Sequence, residues 1–155
     1  GQNLMVNNGQ TRLIAGRHTA LEIPFNEMNT DHLEQAKANI AKHFILVGLT
    51  DRYNETLLML KKLLKWKTPT YSIANAVKRD DKTKQIDAQL KELIIEYNQL
   101  DLQLYDYVSA LFDEQIKKYP MVLEELEKFE LKNRFAGKFH VGSRIKRKIS
   151  KWTKH

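Results

Sequence analysis

The stretch HFILVGLTDRYNETLLMLKKLLKW, residues 43–66, decides how the rest of the chain is read. Residues 43–48 form a short apolar run, β-branched in part, that closes on Gly48. Six residues bounded by turn chemistry favour a buried strand over a helix. Thr50 and Asp51 then offer an N-cap and an acidic residue for a helix dipole. Over 51–65, Tyr53, Leu57, Leu60 and Leu64 fall on one helical face, with Leu58 and Leu63 beside it. The reading is strand, turn, helix. A single buried strand leaves backbone groups without partners on both edges. Its sheet is therefore expected from a missing N-terminal part of the domain or from a dimer partner.

Helices are expected on both sides of this unit. Asn29, Thr30 and Asp31 are N-cap candidates, with Glu34 placed for a capping box, ahead of a helix over 31–42. After the quoted stretch, 67–83 reads as a long loop. A helix over 84–96 carries Ile86, Leu90, Leu93, Ile94 and Tyr97 along its face or just past its end. A longer one over 98–118 carries Leu100, Leu104, Tyr107, Val108, Leu111 and Phe112. Pro120 ends it and suits the first turn of a helix over about 120–131. Residues 1–28, with the turn signal NNGQ and with Pro24, read as irregular. The expected class is mainly α, with one strand at about 43–48 and about five helices.

The 155 residues include no cysteine, which excludes disulfides, thiolate nucleophiles and Cys-based zinc sites. They fit a reducing, cytoplasmic compartment. Mean hydropathy is −0.54, and no apolar run approaches the length of a membrane span. The first residue is Gly rather than Met, and the expectation is that the natural N-terminus lies upstream. Net charge is +7, but nine of the 26 basic residues lie in 132–155, where there is no acid. The remainder carries 17 basic against 19 acidic residues, a net of −2. Two regions follow: a body over 1–131 and a basic tail over 132–155.

Three segments resemble one family, the sulfotransferases that use 3′-phosphoadenosine 5′-phosphosulfate (PAPS), in their carbohydrate and heparan-type, bacterial-like branches. The quoted 43–66 stretch is similar to that family's VGLT segment, with Asp51 where Glu is usual, Tyr53 where Phe is, and Thr56 where Ser is. NQLDLQLYDYVSALFDEQI, 98–116, resembles its later helix, and YSIANAVKR, 71–79, a short stretch between them. NGQTRLIAG, 8–16, resembles a linker of some bacterial members. The resemblance implies the helical C-terminal part of an α/β, P-loop-like sulfotransferase domain. It also implies sulfuryl transfer from PAPS to a hydroxyl of a carbohydrate. The family's phosphosulfate loop, 3′-phosphate motif and catalytic base lie N-terminal to the VGLT segment. Neither a GxxxxGK[ST] nor a K-[ST]-G-[ST] element occurs in these residues. The chain alone is therefore expected to be inactive, to bind PAPS weakly or not at all, and to hold no catalytic residue.

The cofactor contacts implied are Thr50 and Arg52 after the strand, and Lys78 and Arg79 on the long loop. The plainer reading makes Thr50 a helix cap, and makes Lys78 and Arg79 solvated charges beside Asp80 and Asp81. Gln10 and Arg12 fall in the linker match, where Arg12 reads as an anion contact or a surface salt bridge. Asp101, Asp106 and Asp113 read as the solvated face of their helix. None of His18, His32, His43, His140 and His155 pairs at metal-ligand spacing, so no metal site is expected. His43, at the start of the run, reads as a packing or polar-edge residue, and His18 is the only histidine in a loop of functional character.

The tail supplies the alternative. Ile145, Ile149 and Trp152 fall at i, i+4, i+7, ringed by Arg144, Lys146, Arg147, Lys148 and Lys151. That pattern suits an anionic membrane surface or a sulfated glycan, and would make the protein a membrane-peripheral, non-enzymatic module. Nucleic acid is the weaker partner, because the body is net acidic and no nucleic-acid motif occurs.

Overall fold

The computed structural model describes residues 3–67, 71 and 87–133. Among them it is mainly α: a 3₁₀ turn at Leu4–Val6 and seven helices. These are α1 (Gly9–Ala15), α2 (Arg17–Leu21), α3 (Thr30–His43), α4 (Tyr53–Leu64), α5 (Ala88–Tyr97), α6 (Gln99–Lys117) and α7 (121–133). The chain divides into two compact units. The first is Gly1–Val47 with Lys82–Glu114, and the second is Gly48–Asp81 with Gln115–His155.

In the first unit α1 packs on α2 and α3. Leu33, Ala36 and Ile40 of α3 and Leu100, Leu104, Val108 and Phe112 of α6 are buried, and their spacing is that of one helical face. Lys37 of α3 lies over the Tyr107 ring of α6, 5.7 Å from its centroid. The capping residue of α3 is Asn29, whose Oδ1 accepts from the backbone N–H of Asp31 and His32. The reciprocal bond comes from His32 rather than Glu34: its Nδ1 accepts from the Asn29 N–H at 3.1 Å.

In the second unit, Leu58 and Met59 of α4 and Val122 and Phe129 of α7 are fully or nearly buried, with Leu49 and Ile116. Glu125 of α7 accepts from Lys61 Nζ at 2.5 Å and Lys62 Nζ at 3.0 Å, which ties α7 to the last turns of α4. Gly48 is a packing requirement. A Cβ there would stand 2.2 Å from Thr56 Cγ2 and 3.1 Å from its Cβ, so only a glycine lets the chain pass this close to α4.

Two expectations are corrected. The 43–48 run is not a strand. His43 ends α3, and residues 44–49 are irregular, beginning extended at Phe44. No strand occurs among the described residues, so there is no ladder for these backbone groups to join. Nor is the run buried: Phe44 is 47% and Ile45 61% exposed. Residues 1–28 are not irregular either, since they hold the 3₁₀ turn, α1 and α2. The loop over 68–70 and 72–83, the start of the 84–96 helix and the tail from 134 lie outside the described residues.

Candidate functional site

Residues 6–12 and 97–101 meet in the first unit through side chains that cap each other's helices. Asn8, in the left-handed region at φ 53°, accepts at Oδ1 from the N–H of Leu100 at 2.8 Å and Asp101 at 3.2 Å. It thereby satisfies the open N-terminus of α6. Asp101 returns the arrangement to α1: Oδ1 accepts from Thr11 N–H and Oγ1–H at 2.7 Å each, and Oδ2 from Gln10 N–H at 3.0 Å. Asn98 Oδ1 accepts from Asn8 N–H, and Asn7 Nδ2 donates to the Tyr97 carbonyl. At the other end of α1, Asn39 of α3 donates to the carbonyls of Ile14 and Ala15.

Beneath this junction lies Arg12, fully buried. All five of its N–H bonds are used, and every acceptor is a neutral carbonyl oxygen. Nε donates to Asn7 O at 2.8 Å; Nη1 to Thr19 O at 3.2 Å and Ile23 O at 2.7 Å; Nη2 to Asn7 Oδ1 at 3.1 Å and Pro24 O at 2.8 Å. Burial pulls its pKa below the ordinary value. Neither a surface salt bridge nor an anion contact describes Arg12; it organises the backbone of residues 7–24. Asp101 likewise is a cap, not part of a solvated face.

The second unit carries a depression of about 180 Å³. Tyr53 and Tyr71 meet there edge to face, with centroids 5.1 Å apart and planes at 90°. Asn54 is oriented from two sides: Tyr71 donates its hydroxyl proton to Asn54 Oδ1 at 2.6 Å, and Asn54 Nδ2 donates to Glu130 Oε1 at 3.1 Å. The Tyr71 N–H donates to Asn133 Oδ1. Leu126 is the apolar part of the lining. At the rim Arg52 Nε is ion-paired with Glu55, and Asp51 stands beside them.

Of the expected cofactor contacts, Thr50 is exposed and lies before α4 without capping it, since the cap position is Arg52. Arg52 lines the depression already engaged by Glu55. Lys78 and Arg79 lie outside the described residues, as do the tail residues Arg144, Lys146, Arg147, Lys148, Lys151 and Trp152. Asp51, Glu55 and Glu130 line the depression together with Arg52. His18 pairs with Glu22 at 2.8 Å on an exposed turn, and His43 closes α3. No metal-binding group of His, Cys, Asp or Glu occurs among the described residues, and none of their helices is long and apolar enough to cross a membrane.

The chain matches no protein-family model, no curated protein and no solved structure.

Sequence reasoning missed the 7–12/97–101 junction because its signal is polar and non-local. The helix α1 buries Gly9, Thr11, Arg12 and Ala15, which makes no apolar stripe. The sign available was the pair of Asn-rich turns, Asn7-Asn8 and Asn98 with Asp101 three residues on.

Proposed function

We propose that these residues form the C-terminal part of a sulfotransferase that moves a sulfuryl group from PAPS to a hydroxyl, with a carbohydrate as acceptor. One observation carries the reading. The segments 8–16 and 98–116, which resemble the family separately and lie about 90 residues apart, are hydrogen-bonded to each other. The bonds run through residues inside both resemblances: Asn8 to Leu100 and Asp101, and Thr11 to Asp101. The third segment, 43–66, has its own spacing explained by the approach of Gly48 to Thr56. Chance likeness in separate stretches gives no reason for such mutual contact.

In this reading PAPS supplies the activated sulfuryl group, and its phosphates are held by a loop upstream of the VGLT segment. Thr50, Arg52, Lys78 and Arg79 are the residues of this chain that approach it. The exposed side chains of Phe44 and Ile45 are apolar surface for the N-terminal part of the domain, or a second chain, to cover. In this reading these residues are the scaffold of the reaction, and its chemical step belongs to residues upstream.

The test is sulfuryl transfer from radiolabelled PAPS to a panel of glycans by the full gene product that carries this sequence, with titration of 3′-phosphoadenosine 5′-phosphate alongside. Labelled product, together with no nucleotide binding by residues 1–155 alone, supports the reading. A full gene product that neither binds the nucleotide nor transfers label overturns it. So does tight binding by residues 1–155 alone, on the order of micromolar, because the nucleotide site would then lie within them.

The basic tail gives the second reading, a module that docks on an anionic membrane surface or a sulfated glycan. It rests on the charge pattern of 132–155 alone.

A further inference from the structure

We propose that the C-terminal end of α4 is a contact site for an anionic lipid surface. The inference does not depend on sulfuryl transfer, and it uses residues apart from the basic tail.

The stretch KKLLKWK, 61–67, holds four lysines and a tryptophan with no acid among them. Two of the lysines have a structural use. A helix C-terminus favours cations, and Lys61 and Lys62, in the last turn, both donate to Glu125 of α7. Lys65 and Lys67 lie past the last helical residue, are exposed, and have no ion pair among the described residues.

The backbone holds the exposed residues in place. Lys65 is left-handed at φ 54°. Its N–H and that of Trp66 both donate to the Lys61 carbonyl, Trp66 at 3.0 Å. A left-handed residue commonly closes a helix in this way, and it is usually glycine. Glycine takes the conformation without steric cost, whereas a Cβ crowds the following carbonyl. A charge therefore stands where glycine would close α4 with less strain. The residue after such a closure often packs back on its helix, yet Trp66 is 53% exposed.

The second helix of this unit adds to the surface. Asn54 donates to Glu130, and Lys61 and Lys62 to Glu125, so α4 and α7 run antiparallel. The start of α7 then lies level with the end of α4. Met121, one turn before Glu125 on the same face, is 47% exposed, and Leu64 is 38% exposed. Lysines alone would fit any polyanion; the apolar side chains select among them. A sulfated glycan or a nucleic acid offers nothing that buries a leucine and a methionine. A lipid interface takes an indole at headgroup level, aliphatic groups just below it, and ammonium groups on flexible stems against its anionic heads.

Trp152→Phe leaves Trp66 as the single tryptophan of the full 155-residue chain, so its emission reports on this site and not on the tail. It is read with vesicles of equimolar phosphatidylcholine and phosphatidylserine, with phosphatidylcholine alone, and with heparin fragments. The expected result is a blue shift, and quenching by brominated acyl chains, with the anionic vesicles and neither with phosphatidylcholine. Lys65→Gly should weaken binding about fivefold, the weight of one charge near such a surface, while the thermal midpoint stays or rises. Trp66→Ala in the parent chain, read by vesicle sedimentation, should weaken it about tenfold with unchanged circular dichroism. Vesicle binding that leaves the Trp66 emission unchanged assigns attachment to the tail and overturns the proposal. So does a shift with heparin and not with vesicles, an absence of vesicle binding, or binding that Lys65→Gly and Trp66→Ala leave as it was.

Discussion

Replacing Gly48 with alanine tests the structural account of the VGLT turn at a single atom. The added Cβ falls 2.2 Å from Thr56 Cγ2, 2.9 Å from Oγ1 and 3.1 Å from Cβ. Ordinary carbon–carbon contact is about 3.5–4.0 Å, so the turn and α4 must part by more than an ångström, or Thr56 must leave its rotamer. Overpacking of this kind costs about 1–3 kcal/mol. Alanine returns roughly 0.4–1 kcal/mol by restricting the unfolded chain. The net expectation is a loss of about 1–2 kcal/mol, or a fall in Tm of roughly 2–8 °C for a chain of this size. Thr56→Ala removes the two closest atoms and leaves the 3.1 Å contact. Alone it loses the Thr56 Oγ1–H bond to the Arg52 carbonyl, about 1 kcal/mol. Together the two substitutions should be less harmful than their separate effects combined, with a coupling of about 1 kcal/mol or more. Urea unfolding of the four proteins, followed by Trp fluorescence and by circular dichroism, measures it. If Gly48→Ala is as stable as the parent, or if the two changes add, the close approach is not what fixes glycine at this position.

The buried guanidinium gives a larger effect. Arg12→Met leaves the backbone carbonyls of Asn7, Thr19 and Ile23 without donors, while Asn7 Oδ1 and the Pro24 carbonyl keep the Asn26 and Glu27 N–H groups; at about 1–3 kcal/mol for each unsatisfied group it should cost about 3–5 kcal/mol, a large part of ordinary domain stability, and hydrogen exchange of α1 and α2 amides reads it directly. Asp101→Ala removes the cap of α1 and should cost about 1–2 kcal/mol, whereas Asp106→Ala should stay within about 0.5 kcal/mol, both read by thermal unfolding. Glu125 responds to pH. Hydrogen bonds from Lys61 and then Lys62 hold its pKa below the ordinary 4.5. Its stabilising contribution is therefore complete above that value and is lost as the pH falls through the lower folded value. Since the group is about a third exposed, solvent screening keeps the effect under about 1 kcal/mol. Glu125→Gln should be less stable than the parent at pH 7, and the gap should close on titration below pH 4.

The helices α3, α4, α6 and α7 were legible because each carries an apolar face at helical spacing that a core can use. Their observed ends fall within about two residues of expectation, as helix ends usually do. What failed were features whose cause lies elsewhere in the chain. The 43–48 run has the composition of a strand, but composition does not supply a neighbour to pair with. Helices α1 and α2 are short, and the two ends of α1 are closed by Asp101 and Asn39, residues no local window contains. Arg12 looked like a surface residue because arginine seldom lies fully buried; here every donor has a carbonyl within 12 residues along the chain. The depression was half legible. Arg52 was singled out in the sequence, but its pairing with Glu55 and the bond from Asn54 to Glu130 of α7 are contacts that the apolar pattern does not show.

The ranges of these contacts also set an order of assembly. Arg12 finds its acceptors between Asn7 and Pro24, so its cage closes within loops of about 5–12 residues. The bonds from Asn8 and Thr11 to Leu100 and Asp101 close loops of about 90 residues, which adds roughly 2 kcal/mol of chain entropy. During synthesis the cage can form as soon as Pro24 has left the ribosome. It then waits, with the Asn8 amide and the open end of α1 unsatisfied, until residues 98–101 emerge. For that interval, several seconds at about 5–20 residues per second, the N-terminal unit presents a preformed polar socket. A chaperone, or a second nascent chain offering the same Asn-x-x-Asp turn, would compete for it.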